Sequence, residues 1–123
     1  MTLTSRFAVG TALLCQIVFA APARAEPSAN ELLRDYSASD LGGRQAFEET
    51  LRATENGMGW FGARAKVKLY CQPKSSPVLT GSTIMDTLQR QIAEVPSIGS
   101  QPYGLAVLLA LKRAFPCKSG VFR

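Results

Sequence analysis

Apolar residues recur at intervals of three and four through most of the chain from Ser28 onward, the period of helices that each bury one face. Ser28 and Glu31 have the spacing of a capping box ahead of Leu32-Leu33, which predicts a first helix over about Ala29 to Tyr36. Ser37 to Gly43, with Ser39, Asp40, Gly42 and Gly43, reads as a turn-rich break. Phe47, Leu51, Thr54 and Met58 then mark one face of a second helix, about Arg44 to Phe61. On its other side Glu48, Glu49 and Glu55 are expected to face solvent, with Glu48 and Arg52 in the favourable i,i+4 order. Gly57 and Gly59 interrupt its last turns, where each costs about 1 kcal/mol relative to alanine, and are expected where another backbone approaches or the helix ends.

The period changes at Arg64. Arg64-Ala65-Lys66-Val67-Lys68-Leu69-Tyr70-Cys71 alternates polar and apolar residues, predicting an extended segment with Ala65, Val67, Leu69 and Cys71 inward. No partner strand is evident, so this segment is read as an extended lead-in to Cys71. Gln72 to Val78, with Pro73 and Pro77, is a loop. Thr80 caps a third helix, about Gly81 to Glu94, carrying Ile84, Leu88 and Ile92 at i,i+4 spacing and ended by Pro96. Pro102 opens a fourth, Tyr103 to Phe115, the most apolar of all, and Pro116 stops it. Leu88, Leu108, Leu111 and Phe115 are the expected core between the last two helices. The prediction is an all-α fold: a small four-helix domain.

Ahead of these helices, Arg6 precedes the apolar run Phe7 to Ala21, and Ala23-Arg24-Ala25 supplies small residues at a cleavage position. This is the pattern of a secretory signal peptide over residues 1–25, which leaves residues 26–123 as the mature domain. The run is shorter than the roughly 20 residues of a membrane-spanning helix, and Leu14 before Cys15 does not suit lipoprotein processing. Export places the mature chain where disulfides form. Its two cysteines, Cys71 and Cys117, are therefore expected to be bonded to each other, stapling a domain whose core is small.

Composition narrows the chemistry. The net charge is +5, and Arg6 and Arg24 of that total lie in the leader, so nucleic acid is not an expected partner. The sequence contains no histidine, which excludes His-dependent triads and imidazole metal sites within it. No catalytic, cofactor-binding or metal-binding constellation stands out, and no membrane association is expected after leader removal. Arg64, Lys66, Lys68 and Lys74 form a basic stripe, read as the solvated side of an amphipathic segment or as a contact for an acidic partner. Met58-Gly59-Trp60-Phe61 is an aromatic cluster. In a domain with one tryptophan, core packing is its expected role and a partner-binding anchor the alternative.

Cys71-Gln72-Pro73, the Thr80-capped helix, and Ala110-Leu111 leading to Ala114-Phe115-Pro116-Cys117 resemble the Rap/Tai family of immunity proteins. The similarity is strong from Cys71 to Cys117 and weak before it. It implies a small periplasmic helical protein, often a homodimer, that is not an enzyme and uses no cofactor. Characterised members bind and neutralise peptidoglycan amidase effectors of type VI secretion by plugging the amidase cleft. Many members carry a second disulfide between the first two helices; here Leu33 to Tyr36 and Ala46 to Thr50 contain no cysteine. Within this reading the partner-binding candidates are Lys74, Ser75 and Ser76 in the loop beside Cys71, followed by Trp60 and Phe61. The rival reading from the residues is a periplasmic acid-stress chaperone, which shares export, helices and one long-range disulfide. With no histidine present, only carboxylates would trigger it.

Overall fold

A computed structural model describes residues 25–75 and 78–118, and contains four helices and no strand among them. Residues 1–24 of the signal peptide read from the sequence, and Ser76, lie outside the described residues. Helix α1 spans Ala29–Ala38, α2 Leu41–Ala65, α3 Gly81–Glu94 and α4 Tyr103–Ala114, with a single 3₁₀ turn, Pro96–Ile98, before α4. The all-α prediction is met, and so is the bond between Cys71 and Cys117.

Local chemistry explains most helix ends. The Ser28 backbone N–H donates to the Glu31 carboxylate at 2.8 Å, and the Glu31 N–H donates back to Ser28 Oγ at 3.3 Å, completing the capping box. The Ser28 N–H is also the main reason the Glu31 carboxyl is held below its ordinary range. Thr80 accepts from the Thr83 N–H at 3.2 Å at the start of α3.

The break between α1 and α2 is much shorter than the sequence suggested. Ser37 Oγ and Ser39 Oγ donate to the carbonyls of Leu33 and Asp35, which carries α1 to Ala38. Asp40 then caps α2 by accepting from the Gly43 N–H at 2.8 Å, so Gly42 and Gly43 lie inside the helix. At its other end α2 continues through Ala65, past the predicted stop at Phe61. Lys66, in the left-handed conformation with φ 56°, ends it and donates its N–H to the Gly62 carbonyl.

The predicted alternation from Arg64 to Cys71 is not realised. Its first two residues are helical, Ala65 and Val67 are exposed, and no strand pairs with the rest. Ala63-Arg64-Ala65 favours helix continuation, and an unpartnered strand has no ladder to hold it.

Helix α3 is the centre of the domain, packing most extensively on α2 and α4. Ile84, Met85 and Leu88 meet Leu51 of α2 and Ala106, Val107, Ala110 and Leu111 of α4. Leu88 and Leu111 are buried as expected, and Phe115 is partly buried against the core. Leu108 is only half-buried and lies outside that cluster. The face of α4 that meets α3 uses Ala106 and Ala110, whose small side chains let the helices approach, and this turns Leu108 outward.

Backbone bonds fasten α1 to the turn before α4: the Ala29 N–H donates to Gln101 O at 2.9 Å, Asn30 to Gly99 O at 2.8 Å and Tyr103 to Pro27 O at 3.0 Å. The close approach of α3 to α2 occurs at Gly81, where any Cβ would overlap the Glu48 carbonyl. Gly57 and Gly59, expected to mark such an approach, are open instead: a methyl group at either would have no neighbour within 4 Å.

Candidate functional site

After Lys66 the chain turns back along the last turns of α2 and runs to Cys71. Four contacts hold this irregular segment. The Val67 N–H donates to Gly62 O at 3.0 Å, the Tyr70 hydroxyl donates to the Glu55 carboxylate, Gln72 Nε2 donates to the same carboxylate at 3.2 Å, and the Cys71 N–H donates to Phe115 O at 2.8 Å. The disulfide then joins Cys71 to Cys117 just beyond α4, with the Cα atoms 4.9 Å apart.

Between the returning segment and α2 lies a groove of about 710 Å³. Its helical wall is Glu55, Met58, Gly59, Gly62 and Ala63, and its other wall is Lys66 to Tyr70 with Gln72 and Cys117. Glu55, expected on a solvated face, is 7% exposed and forms one end of the groove with Tyr70 and Gln72. Position explains it: Glu55 lies four residues after Leu51 and three before Met58, on the apolar face of α2. Burial, the hydrogen bond to Glu55 and the charge of that carboxylate all push the Tyr70 hydroxyl well above the ordinary tyrosine value.

Glu48 is also half-buried, accepting from the Tyr36 hydroxyl at 2.9 Å, which raises the Tyr36 pKa. The predicted Glu48–Arg52 pair is replaced by Glu49–Arg52, 3.8 Å apart and exposed.

The aromatic cluster divides. Met58 packs toward the core and lines the groove, whereas Trp60 is 81% and Phe61 61% exposed. Core packing, the expected role of this cluster, is therefore overturned for both aromatics. Successive helical residues are about 100° apart, so with Gly59, Gly62 and Ala63 on the groove, Trp60 and Phe61 point to the outer side of α2. Exposed Ala53, Gly57 and Arg64 share that outer side. A helix of 25 residues is about 37 Å long against about 21 Å for α3, so its neighbours cannot cover its full length.

Arg64, Lys66, Lys68 and Lys74 are all exposed, and none forms an ion pair among the described residues. Lys66 and Lys68 line the groove; Arg64 stands beside the aromatic pair on α2; Lys74 and Ser75 sit in an exposed turn after Pro73. The candidates thus separate into an aromatic outer face of α2, a groove on its inner side, and a turn beside the disulfide. Against protein-family models, curated proteins and solved structures, the chain has no match.

Proposed function

We propose that the protein is an exported, non-catalytic domain that works by docking on another protein and occluding it. The observation that carries this reading is the exposure of Trp60 and Phe61 side by side on an uncovered helix face. Two large aromatics left in water are unfavourable for an isolated domain, and such residues are the commonest anchors of protein interfaces. Arg64 on the same side adds a cation of the type enriched at interface centres. The proline-stiffened turn at Lys74 and Ser75, tied at Cys71, is a second contact: a segment already held in shape loses little entropy on docking.

The resemblance of Cys71-Gln72-Pro73 and Ala114-Phe115-Pro116-Cys117 to the Rap/Tai family supports the finer proposal. In it the protein acts in the periplasm, and the partner is a peptidoglycan amidase effector of type VI secretion. Titration calorimetry and a peptidoglycan hydrolysis assay against such amidases test it, beginning with any amidase encoded beside this protein's gene. Stoichiometric inhibition that is lost on replacing Trp60 and Phe61 with alanine is the expected result. Absence of binding to every amidase tried, with apolar surface exposed on mild acidification, would instead favour the stress-chaperone function.

A further inference from the structure

The groove on the inner side of α2 has a chemistry unlike that of the aromatic face. At about 710 Å³ it falls within the size range of small-molecule sites. Its helical wall is bare over just more than one turn, because positions 59 and 62 are glycines and position 63 is alanine. Met58, Val67 and Leu69 supply the apolar lining. From Glu55 to Ala63 the wall runs about 12 Å along the helix axis.

The ends of the groove differ in charge. At one end Glu55 already accepts from Tyr70 and Gln72, so the carboxylate is closed off by partners within the chain. Toward the other end Lys66 and Lys68 stand with no acid paired to either among the described residues. The occupant that complements this arrangement has an apolar body for the bare wall and a negative charge for the two ammonium groups. A polar anion would leave the apolar wall wet, and a neutral apolar body would leave both lysines unanswered.

We propose that the groove between α2 and the Lys66–Gln72 segment binds a single-chain amphiphile with an anionic head, its chain along Met58 to Ala63 and its head at Lys66 and Lys68. Carboxylate and phosphate heads share the chemistry these lysines recognise, since an ammonium acts as a point charge toward either. This site is separate from the aromatic face and from the protein partner proposed above. Loss of one function need not affect the other.

The full mature chain, labelled at its nitrogens and at the methionine methyls, is titrated with dodecanoate below its micelle concentration. Dodecyl phosphate, uncharged dodecyl maltoside, cationic dodecyltrimethylammonium and acetate serve as comparisons. Dodecanoate, dodecyl phosphate or both should saturate a single site that shifts the Met58 methyl and the Val67 and Leu69 amides and leaves the Trp60 indole unmoved. The phosphate and carboxylate arms identify the preferred head. Replacing Lys66 and Lys68 together with glutamine should weaken anionic binding about tenfold, at roughly 0.7 kcal/mol for each exposed charge.

Gly59→Leu blocks the groove without threatening the fold. A Cβ there meets nothing within 4 Å, so the added side chain extends into the open groove, and leucine is a better helix former than glycine. It should abolish the shifts while the circular dichroism spectrum stays the same. Equal binding of dodecyl maltoside and dodecanoate, shifts centred on Trp60, or full binding by folded Gly59→Leu would each overturn the proposal. So would Met58 shifts caused by removing the residues after Lys118 in place of added dodecanoate, because the occupant would then be the chain's own tail.

Discussion

The Tyr70 hydroxyl donates a hydrogen bond to the Glu55 carboxylate, 15 positions earlier in the chain. It binds a segment without regular structure to the buried side of α2, one residue before the disulfide binds the same segment to the end of α4. With the Gln72 amide on the same carboxylate, the pair takes the place of the ladder that a partner strand would have given. The position of the groove's irregular wall against α2 depends on it.

Tyr70→Phe should therefore destabilise the domain by about 1.5–3 kcal/mol, the range for a hydrogen bond to a charged group, because Glu55 stays buried with a single donor. The Tyr70 hydroxyl titrates above its ordinary value in the folded state, so the folded chain holds this proton where the unfolded chain releases it. Stability from this group is complete below the unfolded tyrosine value of about 10 and falls as pH rises beyond it. Urea denaturation at a series of alkaline pH values should show that decline. Tyr70→Phe should shallow it, leaving the smaller slope that Tyr36 contributes through Glu48. An unchanged slope would show that Tyr70 is not coupled to folding.

Cys71 and Cys117 are 46 positions apart, and the loop they close contains the whole of α3 and α4. Chain-entropy arithmetic for such a loop gives about 4 kcal/mol. Cys117→Ser should lower the melting temperature by about 15 °C or more, given about 4–8 °C per kcal/mol at this size. It should also release the Cys71 end of the groove, so amide exchange should rise from Lys68 to Gln72 before it rises in α3. Equal protection in the reduced and oxidised proteins would mean the Glu55 contacts suffice without the disulfide.

Glycines in the two central helices should respond in opposite directions. Gly57→Ala adds a methyl where nothing lies within 4 Å, and should stabilise the helix by about 0.5–1 kcal/mol. Gly81→Ala drives a Cβ into the Glu48 carbonyl, a backbone atom that moves only if α2 moves, and should cost about 1–3 kcal/mol. Thermal melts of the two variants side by side decide it, and a neutral Gly81→Ala would mean that α3 sits farther from α2.

The ends of α3 were legible because both are marked by local chemistry, the Thr80 hydroxyl and Pro96. The same local reading failed at Ser37 to Gly43. Two glycines and two serines look like a loop, yet with serine back-bonding and the Asp40 cap all but Ser39 and Asp40 are helical. Glu55 was within reach of the sequence, since its spacing from Leu51 and Met58 places it on the apolar face; its charge argued it off that face. The exposure of Trp60 and Phe61 was legible only in part. Helical spacing turns both away from the groove face once α2 is known to continue to Ala65, but that the outer side stays uncovered follows from α2 being longer than the helices that pack on it, a tertiary fact.

That exposure yields the most direct test of the proposed function, because it separates binding from stability. In a packed core, Leu111→Ala should cost roughly 2–5 kcal/mol, since Leu111 is fully enclosed between α3 and α4. Trp60→Ala and Phe61→Ala remove larger side chains but leave no cavity, and should change stability by no more than about 0.5 kcal/mol. At an interface the order reverses: an aromatic anchor contributes about 2 kcal/mol or more to binding, whereas a core leucine acts only through the fold. The double variant Trp60→Ala, Phe61→Ala should keep its melting temperature and lose at least about thirtyfold in affinity for an amidase partner. Replacing Lys74 and Ser75 should cost less and act mainly on the association rate at low salt, as expected of a charge at the rim of a contact. If the double variant melts many degrees lower, the two aromatics are buried in solution against a second copy of the chain. Sedimentation of the unaltered protein would then show a dimer, and the docking surface would have to be sought at the Lys74 turn.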